Sequence, residues 1–426
     1  MSHPAASLPR VKTWPRLLPG DYSGRPGTLG EHLARHGIRP SCGGDRRRED
    51  RIREIERAGL AGRGGAAFPT AVKLRALAAA WPSPVVFGNG VEGEPASDKD
   101  KMLLAVAPHL VLDGAVAAAE LTGAGQVVIV AHHAVSDIVG RAVAERRSSG
   151  WDPVPVRVMT AADRFIAGEA SAVVHWVERG VPTPTGRPAR LGSPGRGRRP
   201  ALVQNVETLA HLALVIRHGA PWFTSAGTPA EPGTMLVTLL GAVRRPGVYE
   251  IEIGTPVGGL IELAGGAEVP LGALLIGGYF GTWAEPASAL PRPFSSAGLA
   301  PIGANPGAGV VAALPSTACG LAETARIARY LAGSSAGQCG PCAFGLGAIA
   351  GQLEQLAAGC ACDLGRLQRW LGDVTGRGAC RHPDGTALMV ASALRVFGAE
   401  VRLHSGGWCS AIGAAGVLPV PGPVRS

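Results

Sequence analysis

The chain has 426 residues, too many for one ordinary hydrophobic core, so two or three domains are expected. Hydrophobic residues make up 46%, and no uninterrupted apolar stretch reaches the roughly 20 residues of a membrane-crossing helix, which excludes a helical membrane protein and predicts a globular one. The net charge of +9 suits an acidic protein partner or an anionic cofactor; no array of Arg interleaved with aromatics points to nucleic acid.

Residues 1–45 read as an irregular lead-in rich in Pro, Gly and Arg, with one short helix at 29–36 and an isolated Cys42. No signal peptide is read there, so a cytoplasmic location is expected. In that setting the clustered spacing among the eight cysteines points to metal or redox chemistry rather than disulfides. A charged helix at 51–58 leads into Gly59-Leu60-Ala61-Gly62-Arg63-Gly64-Gly65-Ala66-Ala67-Phe68-Pro69-Thr70. A helix at 71–80 follows and carries Lys73 and Arg75. Glycines free the backbone for positive φ, and unpaired N–H groups at the start of the next helix make an anion site, most often for phosphate. The alternative is a flexible turn.

The apolar run 84–89 predicts a buried strand, and Glu92 and Glu94 leave it at the carboxyl edge. Ligands of α/β sheets sit at that edge; a solvated acidic loop is the other reading. Helices at 108–122 and 134–147 alternate with strands at 126–131 and 154–159, which argues for a parallel sheet with crossover helices. Gly168-Glu169 opens a helix running to 179. The loop 180–200 is too long for an ordinary connection and is expected to be functional or ordered by a ligand. It ends in Gln204-Asn205-Val206-Glu207-Thr208, which enters another helix.

Strands at 235–241 and 248–253 flank the turn Arg245-Pro246-Gly247, and a helix at 256–264 follows. Helices at 321–331, 344–358, 364–374 and 386–397 predict an antiparallel bundle. At its edge stand Cys339-Gly340-Pro341-Cys342 and, later, Gly378-Ala379-Cys380.

These motifs, in this order from about Ile52 onward, resemble the flavin-bearing subunit of respiratory complex I and its counterparts in NAD-linked hydrogenases and formate dehydrogenases. The pieces are Gly62 to Thr70, Asn89 to Lys101 with its Glu-x-Glu-Pro and Lys-Asp, Gly168-Glu169, and Asn205-Val206-Glu207-Thr208. The resemblance implies an α/β multidomain chain. Its parts would be a lead-in at 1–45, a Rossmann-like FMN domain at 46–228, a ubiquitin-like β-grasp (SLBB-type) domain at 229–315, a C-terminal helical bundle with an iron–sulfur site at 316–412, and a tail at 413–426. It implies that Gly62, Arg63, Gly64, Gly65, Phe68, Lys73, Asn89, Glu92, Gly168, Glu169, Gln204, Asn205 and Thr208 bind cofactor, with Glu94 orienting a nicotinamide. Backbone N–H groups and a Lys suit a phosphate; Asn and Thr suit ribityl hydroxyls.

The chain departs from the family pattern at Val91 (usually Asp), Gln204 (Asn), Phe165 (Tyr) and Ala170 (Glu). In the long loop Arg187 stands for Lys, and Arg190 for an aromatic. The family's first cluster cysteine is Ala336, which leaves Cys339, Cys342 and Cys380 as thiolate ligands. The readings are a [3Fe–4S] cluster or a [4Fe–4S] cluster with one labile iron, a fourth ligand from Cys319, Cys360, Cys362, Cys409 or His382, no cluster, or tetrahedral zinc.

The expected function is electron transfer between NADH or NADPH, or a protein donor, and FMN and the cluster, with a ferredoxin-like or other redox subunit as partner. The alternatives are a scaffold that keeps only the fold, and a subunit active only within a complex.

Overall fold

The computed structural model describes residues 16–18, 26–78, 83–186, 199–411 and 416–422. Arg187, Arg190, most of the lead-in before residue 26 and parts of the tail lie outside the described residues.

Helices α1 (Leu29–His36), α2 (Asp45–Arg57) and α3 (Thr70–Ala78) precede β1 (Val85–Gly90). Then come α4 (Lys99–Val106), α5 (Pro108–Thr122), β2 (Gln126–Ala131), α6 (His133–Ser148), β3 (Val156–Thr160), α7 (Ala170–Arg179), β4 (Ala201–Asn205) and α8 (Val206–Thr224). The strands form one parallel sheet in the order β3-β2-β1-β4. Val85, Val86, Phe87 and the run from Val127 to Ala131 are buried, as strands covered by helices on both faces must be. α5 and α8 cross closely on one face: a Cβ added to Gly114 would lie 1.8 Å from Leu209 O.

The chain runs outward from β1 through β2 to β3, then crosses back to β4 on the other side of β1. That reversal opens a crevice at the carboxyl ends of β1 and β4. The register sets Gly88 beside Gln204 and Asn89 beside Asn205. The sequence reading took this last segment as a helix entry and missed β4. A three-residue apolar run, Ala201 to Val203, does not distinguish a strand from a buried helix start; pairing with β1 makes it a strand.

The second sheet holds β5 (Thr234–Gly241), β6 (Gly247–Glu252), β7 (Leu271–Ile276), β8 (Thr282–Ala284) and β9 (Val310–Pro315), in the order β6-β5-β9-β7-β8. β5 and β9 are parallel and the other pairs antiparallel. Helix α9 (Val257–Leu263) and the short α10 (Pro286–Ala289) and α11 (Ser296–Leu299) close one face over Val237, Leu239, Ile251 and Phe294.

The opposite face packs against α12 (Gly320–Gly333), α13 (Leu346–Ala357), α14 (Leu364–Val374) and α15 (His382–Val396), followed by α16 (Gly398–Ser405). Trp283, fully buried, meets Phe397 edge-on at 5.2 Å, and its backbone N–H donates to Ser392 Oγ at 3.0 Å. Among the described residues no single helix is long and apolar enough to cross a membrane. α4 and α5, apolar enough together, bend by 97° and lie mainly in the core.

Candidate functional site

The glycine-rich loop is a closed hairpin. Gly62 N donates to Phe68 O at 2.9 Å and Thr70 N to Leu60 O at 2.9 Å. Arg63 N donates to Thr208 Oγ1 at 2.8 Å, and a Cβ at Gly64 would sit 3.4 Å from Asn205 Cβ. Gly65, at φ +91°, faces the Gly307 carbonyl before β9. The loop therefore lies over the carboxyl ends of β1 and β4 and reaches the second sheet.

Lys73, on α3, extends Nζ to Val203 O at 3.3 Å and lies 5.8 Å from the Phe68 ring centre. Burial lowers its pKa, and no carboxylate partner offsets that among the described residues. Gln204 Nε2 and Thr70 Oγ1 are buried without a hydrogen-bond partner. A desolvated cation, a glycine loop opening a helix, and orphaned polar groups at a switch-point crevice fit a phosphate-bearing polar cofactor such as FMN. Phe68, 46% exposed, stands at the edge.

Other motif residues have partners within the fold. Glu92, at φ +44°, accepts from Ser97 Oγ at 2.6 Å, Asp100 N at 3.0 Å and Lys101 N at 2.8 Å, capping the start of α4. Burial and the Asp100 charge push its carboxyl up to about 7. Glu169 caps α7 through Ser171 N and Ala172 N. Asn89 donates to Gly168 O at 2.9 Å. Asn205 caps α8 through Glu207 N and donates to Asp100 Oδ2 at 2.6 Å. Arg63 sends its guanidinium to Pro232 O at 3.2 Å, towards the second sheet.

Sequence reasoning missed the reason for the Lys-Asp and Val-Glu-Thr pieces. Lys99 Nζ meets Asp100 Oδ1 at 2.7 Å and Glu207 Oε2 at 2.8 Å, while Glu207 Oε1 accepts from Leu236 N at 2.9 Å. This buried network ties α4 and α8 to β5.

A cleft of about 340 Å³ opens on the outer side of the 91–95 turn. Glu94, Lys101, His132, Arg164 and Tyr330 line it, with residues 419–421 opposite. Glu94 accepts from Tyr279 N at 2.8 Å and Ala96 N at 3.2 Å, and burial pushes its carboxyl up to about 7. Behind it Phe165 packs on Phe280 at 4.7 Å and on His382 at 5.6 Å, joining the first sheet to the helical unit.

The cysteine site lies just beyond. Cys339 and Cys342 flank the start of a π turn (Pro341–Gly345) that leads into α13. Against the burial of the Cys339 sulfur, the backbone amides of Ala379 and Cys342 lie by it and lower its thiol pKa, while those of Ala336 and His382 lie by Cys342 and Cys380. Burial and the neighbouring Cys339 and Cys380 sulfurs push the Cys342 thiol up to about 12. Three converging sulfurs ringed by N–H donors suit an iron–sulfur cluster, whose potential such bonds tune. Zinc holds its thiolates about 3.8 Å apart, given Zn–S bonds of about 2.3 Å. Among the described residues, no group of donors all within 4.8 Å of one another contains these three sulfurs. Cys319 and Cys409 belong to a different cluster, and Cys362 donates to Gln352 Oε1 at 3.5 Å. His382 Nε2 faces Leu331 O at 2.7 Å, leaving Nδ1 buried and unpartnered.

Three family models match in the order of these units: the Nuo51 FMN-binding domain over residues 55–214, the SLBB domain over 236–274, and the NADH-ubiquinone oxidoreductase-F iron-sulfur binding region over 322–404. An NADH-quinone oxidoreductase subunit of Rhizobium meliloti is 28% identical over 368 residues, 82% of this chain and 87% of that protein. The chain is similar to the flavin-bearing subunits of NADH-quinone oxidoreductases and NAD-reducing hydrogenases. The NAD-reducing hydrogenase HoxS subunit alpha of Cupriavidus necator is 32% identical over 234 residues, 51% of this chain and 38% of that one. A crystal structure of an NAD⁺-reducing [NiFe]-hydrogenase in the H₂-reduced state aligns with a TM-score of 0.75 at 30% identity. The alignment covers 84% of this chain and 62% of the hydrogenase chain, so this chain spans under two thirds of that relative. With its FMN-binding and iron–sulfur-binding regions matched in order, the chain is an electron-transfer oxidoreductase of α/β multidomain build.

Proposed function

We propose that this chain passes electrons between a nicotinamide nucleotide, or a protein donor, and a redox partner subunit, holding FMN in the β1–β4 crevice and an iron–sulfur cluster on Cys339, Cys342 and Cys380. Bound FMN supplies two-electron acceptance with one-electron release; position and electrostatics come from the protein. The loop amides of Gly64 and Gly65 and the Lys73 ammonium hold the phosphate, with Gly62 closing the hairpin that presents them. Asn89, Gln204, Asn205 and Thr208 face the rest of the cofactor, and Phe68 covers its edge. Glu94, at the wall of the cleft, orients the nicotinamide, and its neighbour Glu92 keeps the turn in shape. The net charge of +9 steers an acidic partner to the surface, and a cytoplasmic assembly follows from the same reading.

Lys73 carries the proposal: an ammonium desolvated at a helix-start glycine loop, without a carboxylate, is built for an anion. Its test is an anaerobic visible spectrum of the cluster-reconstituted chain before and after NADH or NADPH. Flavin bands that bleach, with iron–sulfur absorption falling too, are expected, and they identify the nucleotide. A colourless protein after reconstitution overturns the proposal. A protein donor is the second reading, favoured by Ala170 in place of the family's second Glu and by Phe165 packed into the Phe280–His382 cluster. Flavin present but untouched by either nucleotide selects it.

A further inference from the structure

Cys319 ends the loop after β9 and caps α12, its sulfur accepting from Ala322 N at 3.4 Å. α16 brings Glu400 and His404, one turn apart, against it. His404 Nε2 lies 3.5 Å from Cys319 Sγ and 3.2 Å from Glu400 Oε1. Cys409 completes the group: one donor atom from each of the four residues lies within 4.8 Å of all the others. His404 is 2% exposed, and its other ring nitrogen faces Leu356 O at 3.1 Å. A carbonyl only accepts, so that contact fixes a proton on Nδ1 and turns the Nε2 lone pair towards Cys319 and Glu400. Glu400 is itself held by Ser410, from N to Oε1 at 2.8 Å and from Oγ to Oε2 at 2.5 Å. An imidazole lone pair, a carboxylate oxygen and two sulfurs thus converge on one point, an arrangement that a cation relieves.

We propose that Cys319, Glu400, His404 and Cys409 bind a structural zinc ion, separate from the iron–sulfur site at Cys339, Cys342 and Cys380. Two thiolates, an imidazole and a carboxylate are donors that zinc takes four at a time, whereas calcium and magnesium require oxygen. Four protein donors leave no open position, which makes the site structural rather than catalytic. The Leu356 carbonyl and Ser410 supply the outer contacts that fix metal ligands in orientation. Binding releases the two thiol protons.

The ion would tie the start of α12 to α16 and the chain just after it. Residues 416–422 then return to the molecule: Gly416 N and Val417 N donate to Glu323 Oε1 at 2.8 and 2.9 Å, and Tyr279 Oη donates to Pro419 O at 2.6 Å. Residues 419–421 form a wall of the cleft opposite Glu94.

The test is metal analysis of full-length chain prepared without oxygen and with zinc supplied. About one zinc per chain is expected besides iron, lost in Cys319→Ser and His404→Gln and kept in Cys339→Ser. A second measurement needs no variant: wild-type chain stripped by chelator is titrated with cobalt(II). Intense tetrahedral d–d bands with thiolate charge transfer, saturating at about one equivalent, support the site. Folded wild-type chain without zinc or tetrahedral cobalt bands overturns it. So does a Cys319–Cys409 disulfide in the anaerobic protein, or zinc that leaves with Cys339→Ser.

Discussion

At Lys73 an ammonium loses much of its water without gaining a carboxylate, so its charge is available to a ligand. Replacing it by Met removes a charge-assisted hydrogen bond worth about 1.5–3 kcal/mol, or roughly 10- to 150-fold in FMN affinity. Flavin fluorescence titration of the apo-protein measures this, with the melting temperature expected to hold. Glu94 makes a pH prediction. Its folded pKa of about 7 lies above the ordinary 4.5, so between those values the folded chain holds a proton that the unfolded chain has lost. Stability therefore falls as pH rises through that window. Glu94→Gln keeps the shape without the titration and is expected to lose less stability than wild type between about pH 5 and about pH 8 in urea denaturation. Glu92 and Glu250, also pushed up to about 7, leave part of the slope in place. At Ala336 the backbone amide lies by the Cys342 sulfur, at the place where the resembled family supplies a thiolate. Ala336→Cys is expected to slow iron loss to a chelator several-fold, followed by absorbance (about 0.8–1.4 kcal/mol of barrier by rate theory).

Lys99 on α4 and Glu207 on α8 form the joint between the helices and β5. Burial by itself would raise the Glu207 carboxyl, but Lys99 and His211 outweigh it and hold it at about 2. Its contribution to stability is complete above about 4.5, its ordinary value, and is lost as pH falls through about 2. Glu207→Ala leaves Lys99 buried beside Asp100 alone and frees Leu236 N. A cost of about 3–5 kcal/mol is expected in urea denaturation at neutral pH. The elements also show what periodicity carries. The amphipathic α14 was legible because its pattern is long enough to show one period, and the Val-Val-Ile-Val run of β2 because β-branched residues favour strands. β4 was not, since three apolar residues, Ala201 to Val203, fit either period. α4 was not, because its start depends on the Glu92 carboxylate reaching back to cap it.

Across the whole molecule, the turn after β1 is shared between units. Gly278, at φ +90°, would set a Cβ 2.6 Å from Glu94 Oε2. Gly278→Val is therefore expected to loosen the second sheet from the first, lowering the melting temperature by several degrees and speeding proteolysis between residues 225 and 233. The sequence by itself determined the strand–helix alternation of the parallel sheet, the glycine loop with Lys73, and the Cys339-x-x-Cys342 pair, because local pattern and short spacing carry those features; Cys380 joined that pair only through the family resemblance. Only the tertiary structure decided that Glu92, Glu169 and Asn205 cap helices and that Lys99 pairs with Glu207. It alone brought Cys319, Glu400, His404 and Cys409 to one point. Those relations join residues far apart in the chain or depend on which way a side chain turns, and neither leaves a periodic mark in sequence.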